Sequence, residues 1–228
     1  MLTLKPASCL FQRHSTGIDG KSLKCEFAPN KPKPAVLPGA PLALRNDVWK
    51  LGREASGRVA ADRRSRMPTL EHEILLRQAF AVARRARLHG NHPFGAILVG
   101  PEGAILIEQE NGYLPDRDMT AHAERLLATQ ASRTYDPRFL AHCTLYASAE
   151  PCAMCAGAIY WAGIGRVVYG MSERDLKAIT GNHAENPTLD LPCRAVFAAG
   201  QRAVEVIGPL LTEEAVALHA GAWDGTAG

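Results

Sequence analysis

Downstream of Pro68 the apolar residues fall into regular helical and extended patterns, and upstream of it they do not. PTLEHEILLRQAFAVARRARLHG predicts an amphipathic helix. Thr69 is its expected N-cap, Glu71 and Glu73 lie in its first turn, Arg84, Arg85 and Arg87 near its end, and Gly90 stops it. FGAILVGPEGAILIEQE holds two apolar runs around Pro101-Glu102-Gly103, which predicts strand, turn and strand. TAHAERLLATQA predicts a helix and CTLYASA a strand. PCAMCAGAIYWAGI follows as a helix with proline at its start. RVVYG and AVEVIG predict two more strands, and TEEAVALHAGAW a closing helix capped by Thr212. Strands alternating with helices predict an α/β protein, one sheet with helices on both faces.

Residues 1–66 lack such a pattern. NKPKPAVLPGAPLALRND is proline-rich, and GREASGRVAADRRSR is small, polar and rich in arginine. A boundary is expected at 66/67. The first segment reads as a disordered basic tail, an organelle-targeting segment, or a leader upstream of a true start at Met67. Charge follows the same boundary. Residues 1–66 hold thirteen Lys and Arg against five Asp and Glu, a net +8, while residues 67–228 hold thirteen against eighteen, a net −5. The later domain is therefore a poor clamp for a polyanion. No apolar run reaches the length of a membrane span. The six scattered cysteines suit a reducing compartment, so a cytoplasmic protein is expected.

The chemistry concentrates in two motifs. In ASAEPCAMCAGAI, Cys152 and Cys155 stand at i and i+3 near a helix start, where the helix dipole favours thiolates. The pair alone fits a redox couple, inert packing or a metal site. DMTAHAERLL adds His122 and Glu124 at another strand-to-helix junction. One histidine and two thiolates make three zinc ligands and leave a fourth position open to water. Glu124, two residues from the ligand, stands near the metal as a proton carrier. A closed structural site would need a fourth protein ligand. Cys193, His183 and Cys143 are the nearby choices, and none has zinc-finger spacing. H-x-E followed by P-C-x-x-C is the signature of the zinc deaminases.

From about Thr69 to Trp223 the chain thus resembles the cytidine deaminase-like superfamily, most of all its nucleobase and tRNA-adenosine branches. The resemblance implies a three-layer α/β/α sandwich with a five-stranded mixed sheet and a homodimer. It implies one catalytic Zn²⁺ on His122, Cys152 and Cys155, with Glu124 as proton shuttle. Asn111 matches the asparagine that contacts the target base, and Ala123 lies where a backbone N–H meets it. DMTAHAE carries Met119 where the family usually has proline.

HPFGAILV and GAIYWA resemble the guanine deaminases, in which Phe94 would stack on a purine and Trp161 would line the pocket. EPCAMCAGAI and IGRVVYG resemble the tRNA enzymes, but no Lys or Arg follows Arg202, where a basic helix would hold an anticodon stem. Glu185 and Asp175 are candidates, by residue type, for a carboxylate near the base. Hydrolytic deamination of a free nucleobase or nucleoside, guanine-like first, is the expected activity. The alternatives are tRNA adenosine-to-inosine editing, cytosine or cytidine deamination, and a non-catalytic zinc module that binds nucleic acid through its basic arm.

Overall fold

The long amphipathic pattern forms α1 (Thr69–Leu88) in a computed structural model that describes residues 69–181 and 183–224. The expectations for residues 1–66, and Cys9 and Cys25 with them, lie outside the described residues. Thr69, expected as the N-cap, is instead the first helical residue. At the other end Gly90 takes φ +82°, a left-handed turn that a side chain would strain, and the chain reverses there as its sequence predicted.

The hairpin follows as β1 (Gly95–Val99) and β2 (Ile105–Glu110), antiparallel around the Pro101–Gly103 turn. After a loop come α2 (Ala123–Thr134), a short α3 (Pro137–Leu140), β3 (Thr144–Ala149), α4 (Ala153–Ala162) and β4 (Arg166–Met171). Then come α5 (Glu173–Thr180), α6 (Cys193–Ala198), β5 (Glu205–Ile207) and α7 (Thr212–Ala217). The five strands form one mixed sheet in the order β2-β1-β3-β4-β5. β1 runs antiparallel to both neighbours, whereas β3, β4 and β5 are parallel.

Side chains on the central strands alternate between two cores. Ala96, Leu98, Leu145, Ala147, Val167 and Tyr169 face α2, α4 and α6. Ile97, Val99, Tyr146 and Val168 face α1, α5 and α7. Burial on both faces explains why these strands read as continuous apolar runs. The result is the three-layer α/β/α sandwich that the resemblance implied. Gly95 sets how closely α1 lies on the sheet: a Cβ there would come within 2.4 Å of the Ala83 backbone nitrogen.

Two element boundaries differ from expectation. The N-cap of α4 is Cys152, so Pro151 precedes the helix rather than opening it. α7 ends at Ala217, and Leu211, not Thr212, takes its N-cap position. The sequence had left α3, α5 and α6 unassigned. β3 and β4 both run into helices at their carboxyl ends, and such ends are where open α/β sheets bind ligands.

Candidate active site

The motif residues meet because each sits at a helix start. His122 is the N-cap of α2 and Cys152 the N-cap of α4, and neither uses its side chain for capping. Cys155 lies one turn further along α4 and is fully buried. The His122 Nδ1 atom is 3.6 Å from both the Cys152 and Cys155 sulfurs. A tetrahedral zinc with ordinary Zn–N and Zn–S bonds places such a nitrogen and sulfur about 3.6 Å apart. All three ligand atoms fall within 4.8 Å of one another, and no other such cluster of His, Cys, Asp and Glu exists among the described residues. The residues therefore fit a zinc ion. Cys143 and Cys193 stay buried outside the cluster, and among the described residues no fourth protein ligand closes it.

Electrostatics agree with the geometry. Cys155 keeps a proton that it donates to Cys152 as a thiolate: this hydrogen bond, with a further one from His122 and against burial, holds Cys152 down at about 4. The same bond and burial push Cys155 well up. A divalent cation would displace that proton, as thiolate ligation requires. Burial would lower His122, but the Cys152 contact and the Glu124 charge outweigh it and raise the imidazole.

Glu124 occupies the first turn of α2, buried, with Oε2 3.7 Å from the Cys155 sulfur. Burial is the main cause that lifts its carboxyl to about 7. A carboxyl poised there can both take and give a proton near neutral pH.

Beside these groups lies a cavity of about 30 Å³ lined by Phe94, His122, Glu124, Cys152, Glu173 and Asn186, among others. A second lobe shares Phe94, His122 and Asn186 and adds Asn111, Tyr113 and Glu185. Among the described residues, neither lobe has Lys or Arg in its wall.

The predicted residues divide accordingly. Phe94 lines both lobes, and Asn111 is buried in the second with its Oδ1 accepting the Tyr113 N–H. Ala123 is buried at the first position of α2, where helical geometry leaves its N–H without an intrahelical partner. Glu185 also lines the second lobe, held by His92 at 3.0 Å and by the Tyr113 hydroxyl at 3.4 Å.

Asp175 is spent elsewhere. It forms a capping box with Ser172 at the start of α5, and it lines neither lobe of the site cavity. Trp161 belongs neither to the cavity nor to the core. It is 85 % exposed on the outer face of α4, because the inner face is taken by Cys155, Ala156, Ile159 and Ala162. Met119 lines the second lobe from a loop braced by local contacts: Asp118 accepts both the N–H and the hydroxyl of Thr120, and Arg125 bridges Asp118 and the Thr120 carbonyl.

Three residues at the site lie outside the sequence motifs. Glu150 is buried and accepts the Glu173 N–H through Oε2 and the Cys193 N–H through Oε1. Glu173 and Asn186 complete the main lobe. Glu150 could have been suspected from its place before Pro151 and Cys152. Glu173 could have been suspected as an acid at the end of an apolar strand. Nothing in the sequence marks Asn186.

The family described as the cytidine and deoxycytidylate deaminase zinc-binding region matches residues 69–171. A protein named probable cytosine deaminase from Schizosaccharomyces pombe is 41% identical over 150 residues, 66% of this chain and 91% of the relative. A tRNA-specific adenosine deaminase from Aquifex aeolicus is 34% identical over 120 residues, 52% of this chain and 79% of its own. Among solved structures, a guanine deaminase from Nitrosomonas europaea is similar with TM-score 0.55 and 27% identity. That alignment covers 64% of this chain and 81% of that one.

Proposed function

The chain belongs to the cytidine deaminase-like family of zinc deaminases, and on that premise we propose that it hydrolytically deaminates a free nucleobase. The observation that carries this reading is the buried Glu124 carboxyl beside the His122–Cys152–Cys155 cluster, facing a small cavity that no Lys or Arg of the described residues lines. A zinc ion on the three ligands would supply a Lewis acid that makes water acidic enough to lose a proton near neutral pH.

The chain's own residues do the rest. Glu124 accepts that proton and delivers it to the ring nitrogen next to the carbon bearing the amine. The oxygen adds to that carbon. Glu124 then carries the remaining hydroxyl proton to the amine, the C–N bond breaks, ammonia leaves and a keto group remains. Asn111 and the Ala123 N–H orient the ring, with Phe94 against its face.

Guanine and cytosine are the two bases of first interest. Phe94 in HPFGAILV and the similarity to a guanine deaminase favour the former. The relative aligned over 91% of its length, named a probable cytosine deaminase, favours the latter. The net −5 of residues 67–228 and the absence of Lys and Arg from the cavity wall among the described residues speak against an RNA substrate.

The test is ammonia release by the zinc-loaded chain from guanine, cytosine, adenine, their nucleosides and an anticodon stem-loop. Turnover of a free base is expected, and turnover of the stem-loop alone overturns the reading. In parallel, Glu124→Gln should keep its zinc and lose turnover by about 10²- to 10⁴-fold. Full activity in that variant would refute the assigned shuttle.

A further inference from the structure

Glu173 is a carboxylate without an assigned task. It is only 7 % exposed, yet it forms part of the wall of the main lobe together with Glu124 and Asn186. As the first residue of α5 it could have served the helix terminus, but others do that work. Ser172 Oγ accepts the Asp175 N–H, Asp175 accepts the Ser172 N–H, and Glu150 accepts the N–H of Glu173 itself. The Glu173 carboxyl makes no hydrogen bond or ion pair among the described residues. Burial first, and then the charges of Cys152, Glu124 and Glu150, push its carboxyl up to about 7 against the opposing charge of His122. Whether ionised or neutral, it keeps free acceptor lone pairs. The residue is buried but its carboxyl borders the cavity, so a ligand that fills the lobe and excludes water must supply the donor itself or leave the acceptor unpaired.

We propose that Glu173 is a specificity-determining residue that accepts an N–H of the bound base other than the leaving amine. This rests on the nucleobase reading above and narrows it. The substrate class is a heterocycle with a ring N–H at that edge: N1–H in cytosine, or N1–H or an imidazole N–H in guanine. A base methylated or glycosylated at that nitrogen loses the contact and leaves a buried carboxyl unpaired, which is the arrangement that rejects analogues most strongly. Glu150 takes part indirectly. By accepting the Glu173 and Cys193 N–H groups at once, it fixes the start of α5 against the site.

The experiment uses the full zinc-loaded chain carrying Glu124→Gln, which holds a base without consuming it. Calorimetric Kd values are compared for cytosine, guanine and their singly N-methylated derivatives, with and without Glu173→Ala. Loss of the contact is expected to raise Kd about 10- to 100-fold for the parent base. One methyl derivative, substituted at the contacting nitrogen, should bind both proteins equally. Glu173→Gln, which retains one acceptor oxygen, should recover part of the affinity. Unchanged zinc content and melting temperature in both variants keep the comparison free of folding effects.

The proposal falls if Glu173→Ala binds the base as tightly as its parent. It also falls if affinity drops equally for the base and every methyl derivative. Ammonia release by the native chain separates the two levels. A base that is deaminated but bound without regard to Glu173 sinks only this inference, whereas no base bound or deaminated sinks the nucleobase reading as well.

Discussion

His219 is a fully buried imidazole placed where the end of the chain's α7 region meets the site-side aromatics. Its Nδ1 accepts the Trp223 indole N–H at 3.1 Å, and Phe94 packs edge-on against it. Burial, and after it the charge of Arg87, lowers its pKa from 6.5 to about 4. In the unfolded chain it protonates near its ordinary value, so the unfolded state binds the extra proton first. Stability should therefore fall as pH drops from 6.5 toward 4, by about 3 kcal/mol from this one group. Urea unfolding of the native chain and of His219→Phe at several pH values checks it. The difference between the two should be flat above pH 6.5 and shift in favour of the variant below it. Such a residue is invisible in a sequence, since a lone histidine in an apolar helix segment carries no mark of its partners. His122 differs because Glu124 and the two cysteines carry a joint spacing that few other chemistries require.

Among the elements, α5 and α6 are tied to the site side of the sheet through one carboxylate. Glu150, at the end of β3, holds the starts of α5 and α6 through two N–H groups at 3.2 and 2.9 Å. Glu150→Ala would leave both donors buried without a partner, a loss of about 3 kcal/mol at charged-bond strength. Thermal unfolding should report it, and a rise in KM with less change in kcat should accompany it, because α5 carries Glu173. Glu150→Gln keeps one acceptor and should lie between the two. The elements themselves were legible wherever an apolar period ran long enough, as in α1, β1, β3, α4 and β4. α5 and α6 were not, since they run only eight and six residues and are held by Glu150 and the Ser172–Asp175 box rather than by a long amphipathic face.

For the molecule as a whole, zinc would tie α2 to α4 through His122, Cys152 and Cys155. A ligand that binds only the folded state stabilises it by mass action. Removing zinc with a chelator should lower the melting temperature, by about 2–4 °C for each kcal/mol lost in a domain of this size. Added zinc should restore both the melting temperature and turnover, and an unchanged melting temperature after complete metal removal would contradict a site that bridges the two helices.

The sequence by itself determined the α/β class, the order of the main elements and the joint spacing of His122, Glu124, Cys152 and Cys155 that the fold brings together. Those features rest on local periodicity and on short motif spacings that one stretch of chain can express. The outward turn of Trp161, the diversion of Asp175 into a helix cap and the exposure of Glu173, Glu185 and Asn186 to the cavity were decided only by the tertiary structure. They depend on which face of a helix a neighbouring layer occupies, and on buried hydrogen bonds between residues far apart in the chain.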